Sequence, residues 1–440
     1  MIKKWTFLLL FVSFYLQAQH TVTVEIESEQ QYDRVILYGL YGSSQSYVAF
    51  ADVQFGIFEL TMPENSKTGM YRLYFSNNDY FDFIYNQENV KVKFKAENPE
   101  ETAVFEVSVE NKMYQSYLNE TSAFQYRVDS IQYAHFSSPL PINNAAYAKA
   151  VVALDSIQNS FEEASENLLA QHFIKVNRKY NQQEIHSDVN AFLNDTKNHF
   201  FDYIDFSDTA LYPSTFFVDK VVEYVFFINT AEDVNTDILL KKEAITRTIE
   251  AIGEEDFVKG QILGSLMYAF ASDEHIELTE FVRANYLELP VEFQQQELLK
   301  TIEGMLSTAL GSKAPNLSWE EAGVQKDLHG LEGAANYLVV FWSTDCSHCL
   351  EEIPQLYQWA QDKTGLQIVA VALEDEPKAF EEQTKTMQNW IHVLGLGKWE
   401  NEYAKEYQIS ATPSYFVLDA DKNIIAKPEE FKDVKSYFTE

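Results

Sequence analysis

Leu338-Val339-Val340-Phe341-Trp342, running into Ser343-Thr344-Asp345-Cys346-Ser347-His348-Cys349, is the stretch on which the C-terminal fold turns. The apolar run predicts a fully buried strand, and the amphipathic spacing from about Cys346 to Asp362 predicts a helix directly after it. Gln367–Leu373 (QIVAVAL) repeats the buried-strand signal, and helical sequence runs from about Pro377 to Trp390. Ser414–Leu418 and Asn423–Ala426 read as two more strands around the turn Asp419-Ala420-Asp421-Lys422. Buried apolar strands alternating with helices specify an α/β sheet.

Cysteine usage gives this junction its chemistry. The chain has 440 residues and 2 Cys, and both lie in one C-x-x-C. A disulfide-stapled scaffold and a four-cysteine zinc site are therefore excluded. Only a thiolate attacks a disulfide, and a helix N-terminus stabilises one through unpaired N–H groups and partial positive charge. Cys346, first and nearer the helix end, is the expected nucleophile, and Cys349 the expected resolving thiol. His348 can donate a hydrogen bond or positive charge to Cys346, whereas the carboxylate of Asp345 disfavours a thiolate beside it.

Three other readings of the pair are weaker. A structural disulfide closing so short a loop contributes only about 2 kcal/mol. A metal site needs partners among the remaining His, and none stands at ligand spacing to the motif. A peroxidase of the peroxiredoxin type expects P-x-x-x-[ST]-x-x-C with an Arg; Ser343 fits, but Val339 occupies the Pro position and no Arg follows Arg283. Redox exchange is the reading that a C-x-x-C in a βαβ pattern favours. Pro354 inside the helix should kink it. Thr412-Pro413, just before the strand SYFVL, is a position from which a cis-proline can face the thiols.

With these residues in view, Gly311–Glu440 resembles the thioredoxin-like thiol:disulfide oxidoreductases of the TlpA/ResA type. Ala314-Pro315-Asn316 is similar to the opening of that family's domain, FWSTDCSHCLEEIP to its F-W-A-x-W-C-x-x-C-x-x-E-x-P motif, and ATPSYFVLD to its T-P-T-x-F-x-[ID]-D segment. The resemblance implies a redox pair at Cys346 and Cys349 and a cis-proline at Pro413 that shapes substrate docking. It also implies a helical insertion between Leu373 and Thr412, and an acidic residue after the second buried strand, Glu374 or Asp375, that relays a proton to Cys349. Solvated loop carboxylates are the simpler reading of those two acids. Asp345 departs from the family by standing where a Trp is usual.

Outward from this region the chain changes character. Residues 21–310 more loosely resemble the β-rich plus helical leaders that precede such domains in some bacterial envelope proteins, and GMYRLYFSNNDYFDFIYNQENVKVKF (Gly69–Phe94) carries most of that resemblance. β-rich runs at Thr21–Ile26, Arg34–Leu40, Tyr47–Val53, Gly56–Met62, Met70–Phe75, Tyr80–Tyr85, Val90–Lys95 and Ala103–Val109 predict an antiparallel sandwich or barrel. Turns such as Ser76-Asn77-Asn78-Asp79 separate them. From Asn111 the period becomes helical, notably at Ala145–Val176, Phe216–Phe227, Asp237–Ile252 and Phe293–Leu310. Pro139/Pro141, Pro213 and Pro290 punctuate those helices. No H-E-x-x-H, G-x-S-x-G or P-loop occurs in these regions.

At the start, Lys3 and Lys4 precede an apolar run, Trp5–Leu16, and Ala18 offers a small residue for cleavage after Ala18 or Gln19. A run of this length falls short of the ~20 apolar residues that span a bilayer. Export to the periplasm or cell envelope, without a transmembrane anchor, is the expectation. The formal net charge is −34. Such a polyanion is repelled by phosphate backbones, so no nucleic-acid partner is expected.

The expected organisation is a multidomain chain: a signal peptide over 1–18, an N-terminal all-β sandwich over 19–110, a central all-α region over 111–311 and an α/β thioredoxin-like fold over 312–440. The expected activity is thiol:disulfide oxidoreduction with envelope client proteins that carry disulfides or dithiols, with no bound cofactor and no metal. A redox partner must supply or remove the electrons. The rival from another class is an envelope binding or scaffold protein, of assembly or metallochaperone type, whose redox pair is regulatory.

Overall fold

The computed structural model describes residues 19–28, 32–76, 79–137, 144–321 and 323–439. The expected signal segment, Asn77-Asn78 of one turn, and Pro139 and Pro141 lie outside the described residues. The chain divides into two compact units, one ending at Ile262 and the other beginning at Leu263.

In the first unit, β1 (Thr21–Glu27), β2 (Arg34–Tyr41), β3 (Ser44–Asp52), β4 (Ile57–Thr61), β5 (Gly69–Tyr74), β6 (Tyr80–Tyr85), β7 (Val90–Lys95) and β8 (Val104–Val107) make two four-stranded sheets. Their orders are β4-β1-β7-β8 and β3-β2-β5-β6. Alternation drives this layer: Val22, Val24 and Ile26 on β1 turn inward with Val90, Val92 and Phe94 on β7, and meet Leu37, Leu73, Phe81 and Phe83 of the second sheet. The expected antiparallel pattern needs one correction. β1 and β7 run parallel, with Val22 beside Val90, while β1 and β4 are antiparallel. Period-two alternation fixes which face is buried but is silent on strand direction.

After a short α1 (Pro99–Thr102), the helices of this unit are α2 (Val109–Ser137), α3 (Asn144–Ala164), α4 (Ala170–Val176), α5 (Val189–Asn198), α6 (Phe216–Val222) and α7 (Val234–Ile252); α8 (Asp256–Ser272) contains the division. Side-chain hydrogen bonds stitch the first of them to the sheets. The buried Asn111 grips the β6 backbone from both ends of its amide, accepting from Ile84 N at 2.8 Å and donating to Ile84 O at 2.7 Å. Glu88 accepts from the N–H groups of Val109 and Glu110 at the open end of α2, and Glu110 does the same for Leu169 and Ala170 at α4. Carboxylates suit these positions because the first N–H groups of a helix lack intrahelical partners. Two helices are shorter than their periodicity suggests. Ala145–Val176 breaks into α3 and α4 around Asn167, whose φ is 72°, and Phe216–Phe227 passes into a π-helical turn at Glu223–Ile228.

The second unit continues with α9 (Ile276–Tyr286), α10 (Gln296–Ser307) and a hairpin of β9 (Ser318–Glu321) and β10 (Val324–Asp327). Its centre is a mixed sheet of β11 (Asn336–Trp342), β12 (Leu366–Glu374), β13 (Ile391–Leu396), β14 (Ser414–Leu418) and β15 (Ile424–Ala426), ordered β13-β12-β11-β14-β15. β11, β12 and β13 are parallel, and β14 and β15 are antiparallel to their neighbours. Around the sheet lie α11 (Ser347–Ala360), α12 (Pro377–Thr384), α13 (Glu402–Glu406) and α14 (Phe431–Tyr437).

β11 is the middle strand, which explains its unbroken apolar sequence. Leu338, Val340 and Trp342 pack with Cys349, Ile353 and Leu356 of α11, while Tyr337, Val339 and Phe341 pack on the opposite face with Tyr407 and Phe416. A strand covered on both faces carries no polar alternation. The helix expected over Pro377–Trp390 ends at Thr384, and Met387 and Trp390 are instead buried against the sheet. The stretch between Leu373 and Thr412 thus holds α12, the sheet strand β13 and the short α13. The chain is therefore an N-terminal β-sheet region, a central helical region and a C-terminal mixed α/β domain.

Candidate functional site

The carboxyl end of the middle strand delivers the cysteines. Cys346 is the N-cap residue of α11, with φ −93° and ψ 113°, and its Sγ accepts from the backbone N–H of Cys349 at 3.4 Å. A cap side chain that takes up a free N–H of the first turn occupies the most electropositive point of the helix. Across the site, Cys346 Sγ donates to the carbonyl oxygen of Thr412 at 3.3 Å, and the Thr412-Pro413 peptide bond is cis. The structure therefore brings Cys346, Cys349 and the Thr412-Pro413 loop together. Both cysteines are free thiols; Cys346 is partly exposed and Cys349 fully buried.

The two thiols are driven apart in acidity. Burial works against a thiolate at Cys346, but hydrogen bonds from the Cys349 thiol and N–H, the Thr412 side chain and the His348 N–H together outweigh it, and its pKa lies below the ordinary thiol value. Burial, reinforced by the hydrogen bond to Cys346, pushes the Cys349 thiol up to about 12. A partly exposed thiol of lowered pKa beside a buried thiol of raised pKa is a division of labour suited to thiol exchange. One expected outcome follows. At pH 7, limiting iodoacetamide alkylates Cys346 at least about tenfold faster than Cys349, because only the former has an appreciable thiolate fraction below its ordinary pKa. Site-resolved mass spectrometry of the folded protein reads the ratio, and equal labelling would contradict the assignment.

His348 acts differently from the expectation drawn from sequence. Its ring is exposed and its Nε2 lies 3.4 Å from Glu352 Oε1, one helical turn on, so what it supplies to Cys346 is its backbone N–H. Glu352 is a residue whose role sequence reasoning missed. It is largely buried, and its Oε2 accepts from the Tyr415 hydroxyl at 2.7 Å and from the Phe431 N–H at 3.3 Å. Burial, then the bond to Glu352, raises the pKa of Tyr415. The available signal was spacing: Glu352 stands three residues after Cys349 and four after His348, which puts all three on neighbouring faces of α11.

The two acids after the second buried strand separate. Glu374 is 3% exposed, and its carboxylate accepts from Thr344 N at 2.6 Å and Thr344 Oγ1 at 2.8 Å. It braces the loop two residues before Cys346 and, among the described residues, no hydrogen bond joins it to Cys349. Asp375 is exposed and lies 2.8 Å from Lys398 Nζ, which also contacts Asp345 at 2.8 Å. Lys398 is a second residue that sequence reasoning missed; it lies far along the chain from both partners, with no motif to mark it. Among the described residues, no group of three or more His, Cys, Asp or Glu is placed to hold a metal ion. No helix among them is long and apolar enough to cross a membrane.

Comparison with known proteins finds a family match over the C-terminal part. Residues 335–424 match the thioredoxin-like family model. The chain is similar to a domain of a possible thiol-disulfide isomerase from Cytophaga hutchinsonii at 30% identity, covering 30% of this chain and 90% of that one with a TM-score of 0.27. It is similar to the thioredoxin domain of a thiol-disulfide oxidoreductase from Bacteroides vulgatus at 27% identity, covering 30% and 96% with a TM-score of 0.26. A thioredoxin-like protein from Bacteroides caccae is 20% identical, over 56% of this chain and 92% of its own, with a TM-score of 0.38. No curated protein matches the chain. The β11–α11 junction, the cysteine pair on it and the family match together make the C-terminal region a thioredoxin-like domain with a candidate redox pair.

Proposed function

We propose that this chain, whose C-terminal region is a thioredoxin-like domain, is an exported thiol:disulfide oxidoreductase acting on client proteins in the cell envelope. The observation that carries the reading is the placement of Cys346 at the N-cap of α11, its Sγ facing the Thr412 carbonyl and the N–H of the buried Cys349. In the reducing direction, Cys346 thiolate attacks one sulfur of a client disulfide, and the other client sulfur leaves as a thiolate. Cys349, losing its proton, then attacks Cys346 Sγ; the Cys346–Cys349 disulfide forms and the second client thiolate leaves. Two electrons pass from the pair to the client, and an external dithiol reductant restores the pair. The motifs resemble the TlpA/ResA type within the wider superfamily. Pro413 then flanks the docked client backbone, and the regions 19–110 and 111–311 serve client choice or assembly. The apolar N-terminal segment supports export.

The test is the equilibrium potential of the pair, followed by thiol alkylation across defined redox buffers, together with turnover of a model protein disulfide such as insulin. A potential near or below about −220 mV fits a reductase that needs a dedicated electron donor, and one above about −180 mV fits an oxidase or isomerase. A pair that cycles in neither range overturns the reading in favour of a binding or scaffold protein.

A further inference from the structure

Asp345 sits immediately before Cys346, with its side chain 71% exposed. Left alone, its negative charge opposes the thiolate that the helix end favours. The structure answers it with one cation. Lys398 Nζ lies 2.8 Å from Asp345 Oδ2 and 2.8 Å from Asp375 Oδ2, and these two contacts raise its own pKa, Asp345 contributing first. The lysine is held there by its backbone. Gly397 at φ 92° donates its N–H to Glu374 O at 2.9 Å, tying the turn to the end of β12, and Lys398 follows at φ 49°. A side chain with a Cβ in the left-handed region is disfavoured, and such strain persists where the surroundings fix it.

We propose that Lys398 is a positioning residue of the dithiol site: clamped between Asp345 and Asp375, its ammonium offsets the carboxylate this chain places beside Cys346, so the attacking thiolate faces less negative charge than the two acids alone would impose. This rests on the reading of Cys346 as the attacking group. The other titratable groups around the clamp are Cys349, His348 and Glu352 on α11, Tyr415 on β14, Glu374 at the end of β12 and Asp375 after it; of these, Asp375 is the one paired with Lys398 among the described residues. An added unit charge on the neighbouring residue, acting through near-aqueous dielectric, moves a thiolate's midpoint by about half a pH unit at most.

The experiment is the pH dependence of Cys346 alkylation in the full chain, for wild type, Lys398→Ala, Lys398→Arg and Lys398→Ala/Asp345→Asn. At low salt, Lys398→Ala is expected to raise the midpoint by about half a unit, leaving about threefold less thiolate below it. Lys398→Arg should keep the wild-type profile, and the double variant should regain it. At 1 M salt, where screening acts within about 3 Å, the shift should collapse. A profile unmoved by Lys398→Ala overturns the proposal, as does a shift that survives both Asp345→Asn and high salt, which would mean that Lys398 merely shapes the turn. Insulin reduction is read separately. Its absence with the alkylation pattern intact sinks the oxidoreductase reading and leaves the role of Lys398 standing, and the converse pattern does the reverse.

Discussion

Cys346→Ser is expected to reduce disulfide turnover to the background of free thiols, a loss of at least about three orders of magnitude, because a hydroxyl at that position is not ionised near neutral pH. The position itself should survive: the N-cap role needs only an acceptor for the Cys349 N–H, and serine is a preferred cap. Thermal stability of the variant should therefore stay within about 1 kcal/mol of wild type, which separates lost chemistry from lost fold. Cys349→Ala has the complementary outcome. The first attack proceeds, the second cannot, and a mixed disulfide through Cys346 accumulates. It appears as a shifted band on a non-reducing gel that dithiothreitol collapses. Cys349→Ala without a trapped client, in the presence of a disulfide-bearing protein, would count against the sequence of attacks assigned to the pair.

The second large effect is expected at Glu374. Its buried carboxylate satisfies both the N–H and the hydroxyl of Thr344. Glu374→Ala leaves those donors without their acceptor and opens space at the end of β12, costing about 2–4 kcal/mol of stability. Glu374→Gln keeps one good acceptor and turns an amide NH2 toward the other donor, so its cost should be about 1–2 kcal/mol. Denaturant melts of the reduced protein give both values. A proton relay to Cys349 predicts a different result, in which Glu374→Gln melts like wild type while resolution of the mixed disulfide slows. The stopped-flow rate of that second step discriminates between bracing and relaying.

Much of this architecture was legible because the residues that build it sit close in sequence. LVVFW followed by C-S-H-C marks strand, turn and helix start in one reading, and Val22, Val24 and Ile26 declare a buried face by alternation alone. Other features depend on partners that sequence does not juxtapose. The direction of β1 against β7 is set by a pairing across most of the β region. β13 was hidden because His392 and Gly395 interrupt its apolar run, while Trp390 before it extended an amphipathic pattern past the true end of α12 at Thr384. Lys398 carried no signal, since one lysine among many becomes informative only when a left-handed turn aims it at two carboxylates. The split between Glu374 and Asp375 was invisible for a related reason. Adjacent residues at a strand end point to opposite sides, and only the fold shows that one side is covered.

The placement of β1 also bears on how the N-terminal region comes to be formed during synthesis. Val22 is flanked by Leu60 on one side and Val90 on the other, so the first strand of the described residues occupies an interior place in its sheet. Until both neighbours have been made, the backbone N–H and C=O groups of β1 lack part of their ladder. Contacts that span this much chain make assembly slow, since loop closure must precede the reward of pairing. A ribosome stalled before residue 90 should therefore display a protease-sensitive, chaperone-binding segment that vanishes once β7 is available.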